Sequence, residues 1–150
     1  MSIIDQINTK FGDKVEIFEK SKKRIYIAVA REDAKEVVRY IFKDLGARLS
    51  IATGIDTRAG IEILYHMAFD RHNVMVTVRT LANKPELEIR SVTDFLSGAE
   101  WIEREIHEMF GVNFIGHPNL KRLLLPDDWP EGEHPYRKKT FESEKENEER

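Results

Sequence analysis

The sequence predicts an α+β fold, a two-layer sandwich with a mixed or antiparallel sheet and helices on one face, followed by an extended proline-rich ribbon. Three observations carry that prediction. Hydrophobic periodicity runs helix, strand, strand, helix, strand, strand, strand over the first ninety residues. Residues 60–69 set Ile61, Ile63, Tyr65, Met67 and Phe69 against Glu62, Leu64, His66 and Ala68, the period of two that marks a strand with one face on a core. Four of the five prolines (Pro118, Pro126, Pro130 and Pro135) fall in one stretch, which excludes a long helix and a central strand there.

The elements follow in order. Residues 2–11 read as a helix with Ile3, Ile4, Ile7 and Phe11 on one face, ended by Gly12. Residues 15–18 and 24–30 read as a hairpin across the polar turn Lys20-Ser21-Lys22-Lys23, the second strand rich in β-favouring Ile25, Tyr26, Ile27 and Val29. Residues 33–45 form the clearest helix. Asp33 and Glu36 have capping-box spacing, and Ala34, Val37, Val38, Ile41, Phe42 and Leu45 make the stripe. Gly46 stands where a terminating glycine belongs. Strands are expected at 48–55, 60–69 and 74–80, with Asp70-Arg71-His72-Asn73 as a turn and Leu87-Glu88-Ile89 as a final short strand. Residues 94–110 read as helical with a break at Ser97-Gly98, and Gly111 ends them. The expected organisation is a core domain over 1–115, a partner-binding ribbon over 116–141 and a disordered acidic tail over 142–150, which holds five Glu and no apolar residue.

Composition narrows the chemistry. The chain has 150 residues, enough for one domain with a real core. Charged residues make up 34%, yet the net charge is only −3, so nothing suggests a nucleic-acid partner. There is no cysteine, which excludes disulfides, thiolate-held iron–sulfur clusters and cysteine-rich zinc sites in this chain. No apolar run approaches the roughly 20 residues of a membrane span, and the N-terminus lacks the pattern of a signal peptide. The expectation is therefore a soluble protein whose membrane association runs through a complex. A single glutamine, with abundant Glu, Lys and Arg, leans towards a thermophile.

No catalytic constellation is legible. His107-Glu108 opens like the zinc-protease helix, but position 111 is Gly rather than the second His. A di-iron helix would need Glu at 104, which is Arg. His66, His72, His107, His117 and His134 show no ligand or catalytic spacing, and there is no phosphate loop or nucleophile elbow. In the helix before Gly111, Ile102, Ile106, Met109 and Phe110 form the apolar stripe, and Glu100–Arg104 and Arg104–Glu108 have i,i+4 ion-pair spacing. The ribbon carries Leu123, Leu124, Leu125, Trp129, Tyr136 and Phe141 on a chain that cannot form a regular amphipathic element. Those groups either fold back on the domain or anchor in a partner, as aromatic residues do at interfaces.

One dense run of residues carries a resemblance. Ala99-Glu100-Trp101, Glu103-Arg104-Glu105, Glu108-Met109-Phe110, Gly116-His117-Pro118, Lys121, Leu123-Leu124 and Pro126-Asp127-Asp128-Trp129 stand in order. They close on Gly132-Glu133-His134-Pro135-Tyr136-Arg137-Lys138. This resembles the signature of the C subunit of respiratory complex I, the NADH dehydrogenase, a family with equivalents in energy-converting membrane-bound hydrogenases and related complexes. The resemblance implies a cofactor-free, non-catalytic docking subunit of an ion-translocating oxidoreductase, peripheral on the cytoplasmic side of the membrane. It implies packing against a hydrogenase-like large subunit and a small iron–sulfur subunit, with the clusters and any nickel–iron centre held by those partners.

Departures from the pattern refine it. His107 replaces an aromatic residue, Glu108 and Asn119 each replace Asp, Glu133 is inserted, and Lys139-Thr140 replaces an acidic–aromatic ending. With the thermophile lean, these favour an archaeal hydrogenase-type complex over an NADH– or F(420)H(2)–quinone oxidoreductase. A stand-alone small enzyme and a generic adaptor are the readings of another class. Glu103, Arg104, Glu105 and Glu108 are expected to organise the helix–ribbon junction. His117, Lys121, Trp129, Tyr136 and Arg137 complete the signature and partner-contact set. No catalytic, cofactor or metal residue is expected.

Overall fold

The computed structural model describes residues 1–138; the expected tail at 142–150, Phe141 and the Lys139-Thr140 ending lie outside the described residues. Helix α1 (Ile3–Phe11) starts on a capping box. The Ser2 hydroxyl accepts from the Asp5 N–H at 3.1 Å, and the Asp5 carboxylate accepts from the Ser2 N–H at 3.2 Å. A short 3₁₀ turn leads into β1 (Val15–Ser21), which turns back as β2 (Arg24–Val29). Helix α2 (Arg31–Arg39) widens into a π turn over Tyr40–Asp44. Strands β3 (Arg48–Asp56), β4 (Gly60–Phe69) and β5 (Val74–Asn83) follow.

These strands form one mixed sheet of order β1-β2-β5-β4-β3. The β2–β5 pair is parallel and the other neighbours are antiparallel. The α2–β3–β4 connection supplies the crossover that a parallel pair needs. A short strand β6 (Glu88–Arg90) then precedes helix α3 (Glu100–Phe110) and strand β7 (Asn113–Ile115).

One face of the sheet holds the core. Ile27, Ile61, Ile63, Tyr65, Met67, Val76 and Val78 are buried there under Ile7 of α1, Val37, Val38 and Ile41 of α2, and Ile106, Met109 and Phe110 of α3. Each such side chain contributes roughly 1.5–3 kcal/mol of transfer free energy. Gly54 allows α3 its close approach: a Cβ there would lie 2.8 Å from the Phe110 ring. The opposite face carries exposed Phe18, Ile51 and Ile55.

Three local expectations need correction. The α2 helix begins at Arg31 with Ala30 as a cap without a side-chain bond, so Asp33 and Glu36 do not form a capping box. The chain enters α2 straight from β2, and that junction fixes the start before Asp33 is reached. The short strand expected at Leu87-Glu88-Ile89 is present as Glu88–Arg90 but is not the last: it pairs in parallel with a further strand, β7, in a separate two-stranded ribbon. Helix α3 starts at Glu100, after a 3₁₀ turn at Ser97–Ala99, rather than at 94. Upstream, Ser91 and Thr93 join their hydroxyls at 2.7 Å and Ser91 takes the Thr93 N–H, holding a turn that sends Val92 and Leu96 into the core.

Candidate interaction site

Helix α3 presents two differently used faces to the rest of the chain. Ile106, Met109 and Phe110 face the sheet. On the same inner side lies Glu103, fully buried. Its carboxylate accepts from the Ser91 hydroxyl at 2.6 Å, the Val92 N–H at 3.0 Å and the Tyr65 hydroxyl at 3.4 Å. It thereby ties α3 to β4 and to the turn before the helix. Burial raises the Glu103 carboxyl above the usual carboxylate range, and its hydrogen bonds and the nearby His117 only partly offset this. Burial and the neighbouring Glu103 charge push Tyr65 well above the usual phenol range.

A second face holds the ribbon. The Glu108 carboxylate accepts three successive backbone N–H groups: Leu123 at 3.1 Å, Leu124 at 2.9 Å and Leu125 at 3.1 Å. Burial raises the Glu108 carboxyl, but those three donors and the nearby Arg122 outweigh it and leave it lowered. One turn earlier, Arg104 donates to the Lys121 carbonyl at 3.0 Å and the Arg122 carbonyl at 2.7 Å. The planar guanidinium thus reads carbonyls and the carboxylate reads N–H groups of adjacent ribbon residues. The i,i+4 carboxylate pairs expected for Arg104 give way to this ribbon contact.

The ribbon is pinned at both ends as well. His117 accepts the Asn119 N–H at Nδ1 and donates from Nε2 to the Glu100 carbonyl at 2.9 Å, which sets the ribbon's start on the first turn of α3. Arg122 donates to the Pro126 and Trp129 carbonyls, and Trp129 donates to the Glu133 carbonyl at 2.9 Å, closing the middle into a loop. His134 bonds the Glu108 carbonyl at 2.8 Å. Its ring lies against Gly111, where a Cβ would sit 2.7 Å from it and where φ is +82°. The Tyr136 N–H donates to the Met109 carbonyl, its ring meets Phe110 edge-on at 5.6 Å, and the Lys138 N–H reaches the buried Asp56 carboxylate at 2.6 Å.

The named residues therefore divide. Arg104, Glu108 and His117 contact the ribbon or hold its start. Glu103 points to the sheet instead, and Glu105 is exposed. The Lys121 side chain is exposed while its carbonyl is used; Trp129 and Arg137 are half-buried. Of the ribbon's apolar groups, Leu120 and Leu125 pack against the core, whereas Leu124 is 62% and Tyr136 59% exposed. Trp101 on α3 is 67% exposed. Sequence reasoning missed Asp56, an acidic residue that ends a strand and meets the chain eighty-two residues later. Among the described residues no three His, Asp or Glu gather as a metal site, and no helix is long and apolar enough to cross a membrane.

The fold and this junction define a small α+β domain that carries its own C-terminal strap, pre-folded by side-chain-to-backbone bonds. The chain belongs to the family of the respiratory-chain NADH dehydrogenase 30 Kd subunit, which matches residues 27–146. It is 36% identical over 141 residues to the C subunit of the F(420)H(2) dehydrogenase of Methanosarcina mazei, covering 91% of this chain and 89% of that one. It is 32% identical over 149 residues to the C/D subunit of the NADH-quinone oxidoreductase of Acinetobacter baylyi, covering 91% of this chain but a quarter (25%) of that longer protein. Among solved structures, its fold is similar to a chain of the membrane-bound sulfane sulfur reductase, an archaeal respiratory membrane complex (TM-score 0.81, 24% identity, 97% of this chain and 89% of that chain covered). A trypsin-resistant fragment of Nqo5 is also similar (TM-score 0.63, 22% identity, 79% and 96% covered).

Proposed function

We propose that this chain is a cofactor-free docking subunit of a complex I-like, ion-translocating oxidoreductase, peripheral on the cytoplasmic side of its membrane, and that α3 with its strap is the docking face. The carrying observation is the strap itself. Arg104 and Glu108 fold a proline-stiffened segment onto α3 while leaving Leu124, Tyr136 and Trp101 at the outer surface. Aromatic anchors on a pre-ordered segment lose little entropy on association, which suits a stable interface. The proposed neighbours are a hydrogenase-like large subunit and a small iron–sulfur subunit, which would hold the redox centres. Departures such as His107 and Glu133 support a hydrogenase-type or related archaeal complex.

A second reading, the same subunit in an F(420)H(2)-oxidising complex, is favoured by the 36% identity to the Methanosarcina mazei protein over nearly both lengths. Affinity purification from gently solubilised native membranes, read by mass spectrometry, separates them. A nickel-bearing large subunit supports the first reading and an F(420)H(2)-oxidising subunit supports the second. Recovery of the chain alone would contradict both.

A further inference from the structure

A second feature lies away from the strap, at the end of the sheet where β2 and β5 part. Their parallel pairing stops at Ala28↔Arg79, but β5 continues to Asn83. Along Thr80–Asn83 the strand is paired with β4 on one side and has no β2 residue on the other, where the Asn83 carbonyl already accepts the Leu87 N–H at 2.9 Å and Leu81 is left facing the gap. A cleft of about 610 Å³ opens there, lined by Val15, Glu16, Ala28, Val29, Thr80 and Leu81. Thr80 lines the cleft, but its hydroxyl is buried on the core side of β5 with Val76 and Val78 and has no hydrogen-bond partner among the described residues. An unpaired strand edge beside a cleft is a place where another backbone can pair, and Leu81 is the β5 residue that faces it beyond the last β2 partner.

Charge selects the occupant. In and around the cleft Glu62 pairs with Arg79 at 2.7 Å, and Lys14 reaches Asp33 at 3.7 Å. The Asp13 and Glu16 carboxylates also line it and have no ion pair or side-chain hydrogen bond among the described residues, which leaves both negative charges without a partner. This disfavours the chain's own last nine residues, which carry five Glu. We propose that this cleft receives an extended, basic segment of a partner protein, which adds as a short strand along Leu81. The mode is strand addition: backbone bonds to β5 give affinity, and Lys or Arg side chains meeting Asp13 and Glu16 give selectivity. The proposal rests on the docking reading only in requiring a partner, and it assigns that partner a second surface, distinct from the strap.

The test places a photo-cross-linker in the native complex by Leu81→benzoylphenylalanine, with Trp101→benzoylphenylalanine as the report on the strap. The expected cross-link from position 81 falls in a partner segment containing Lys or Arg. It should weaken at least tenfold when Asp13→Lys and Glu16→Lys are added, while the position-101 cross-link stays unchanged. The Leu81 backbone amide, which faces the gap left by β2, should also exchange at least tenfold more slowly in the complex than in the free full chain. A cross-link to residues 139–150, to a segment without basic residues, or to nothing would overturn the proposal. Loss of the position-101 cross-link alone would instead count against the strap as docking face.

Discussion

The sheet half of this molecule and its α3–strap half are stabilised by different physics. Between Val15 and Asn83, order comes from apolar side chains placed two residues apart on strands that neighbour each other in space. Between Ser91 and Lys138, a few charged or polar side chains hold backbone groups: Glu103 to Val92, Arg104 to two carbonyls, Glu108 to three N–H groups, and Asp56 to Lys138. A distributed interior loses a little with each substitution and unfolds as a unit. A strap fastened by a handful of side chains can open while the domain beneath it stays folded.

The sharpest way to break that comparison is to damage each half once. Met67, fully buried in β4, should cost about 3–4 kcal/mol as Met67→Ala, seen as a single global transition in denaturant melts. Glu108→Ala should cost the strap about 3 kcal/mol by removing the acceptor of three N–H groups. That loss should appear as fast amide exchange at Leu123–Leu125 with the sheet amides unchanged. Arg104→Ala, which frees two carbonyls, should open the same segment by about 1–2 kcal/mol and lower assembly of the complex.

Acid should separate the two carboxylates of α3 in opposite directions. Glu108 has a lowered carboxyl, so its stabilisation is fully present above its ordinary value of 4.5 and is lost as pH falls through the folded value. Glu103 has a raised carboxyl, so its contribution is fully present below 4.5 and is lost as pH rises through the folded value. Amide protection at Leu123–Leu125 should therefore fall on acidification before the core opens. Glu103→Gln should become more stable relative to the parent as pH rises from 4 towards 7, measured by thermal melts. The smallest effect on folding belongs to Trp101→Ser, within about 0.5 kcal/mol because the ring is exposed, yet it should reduce recovery of the complex.

How much of this was legible follows from the same division. Alternation in Gly60–Phe69 and the turn at Asp70-Arg71-His72-Asn73 are local signals, and the strand and turn stand where they predict. The parallel pairing of β2 with β5 is not local; it is decided by the α2 crossover. In α3 the 3.6 period identified Ile106, Met109 and Phe110 as inward-facing. It could not reveal that Glu103 joins them, because a buried carboxylate is indistinguishable from a solvated one until its donors at Ser91 and Val92 are in place. The i,i+4 spacing of Arg104 and Glu108 suggested an ion pair, whereas the three-dimensional competition was won by the ribbon backbone. Proline density announced an extended segment but not its path, and the catch at Asp56 has no sequence-local counterpart.

The central claim is that the strap is ordered by its own domain and docks through its outer surface. Hydroxyl-radical footprinting of Trp101 and Tyr136 in the free full chain and in the purified complex tests it directly. Both side chains should react readily in the free chain and become strongly protected in the complex. Equal reactivity of Trp101 and Tyr136 in the two states would contradict the account.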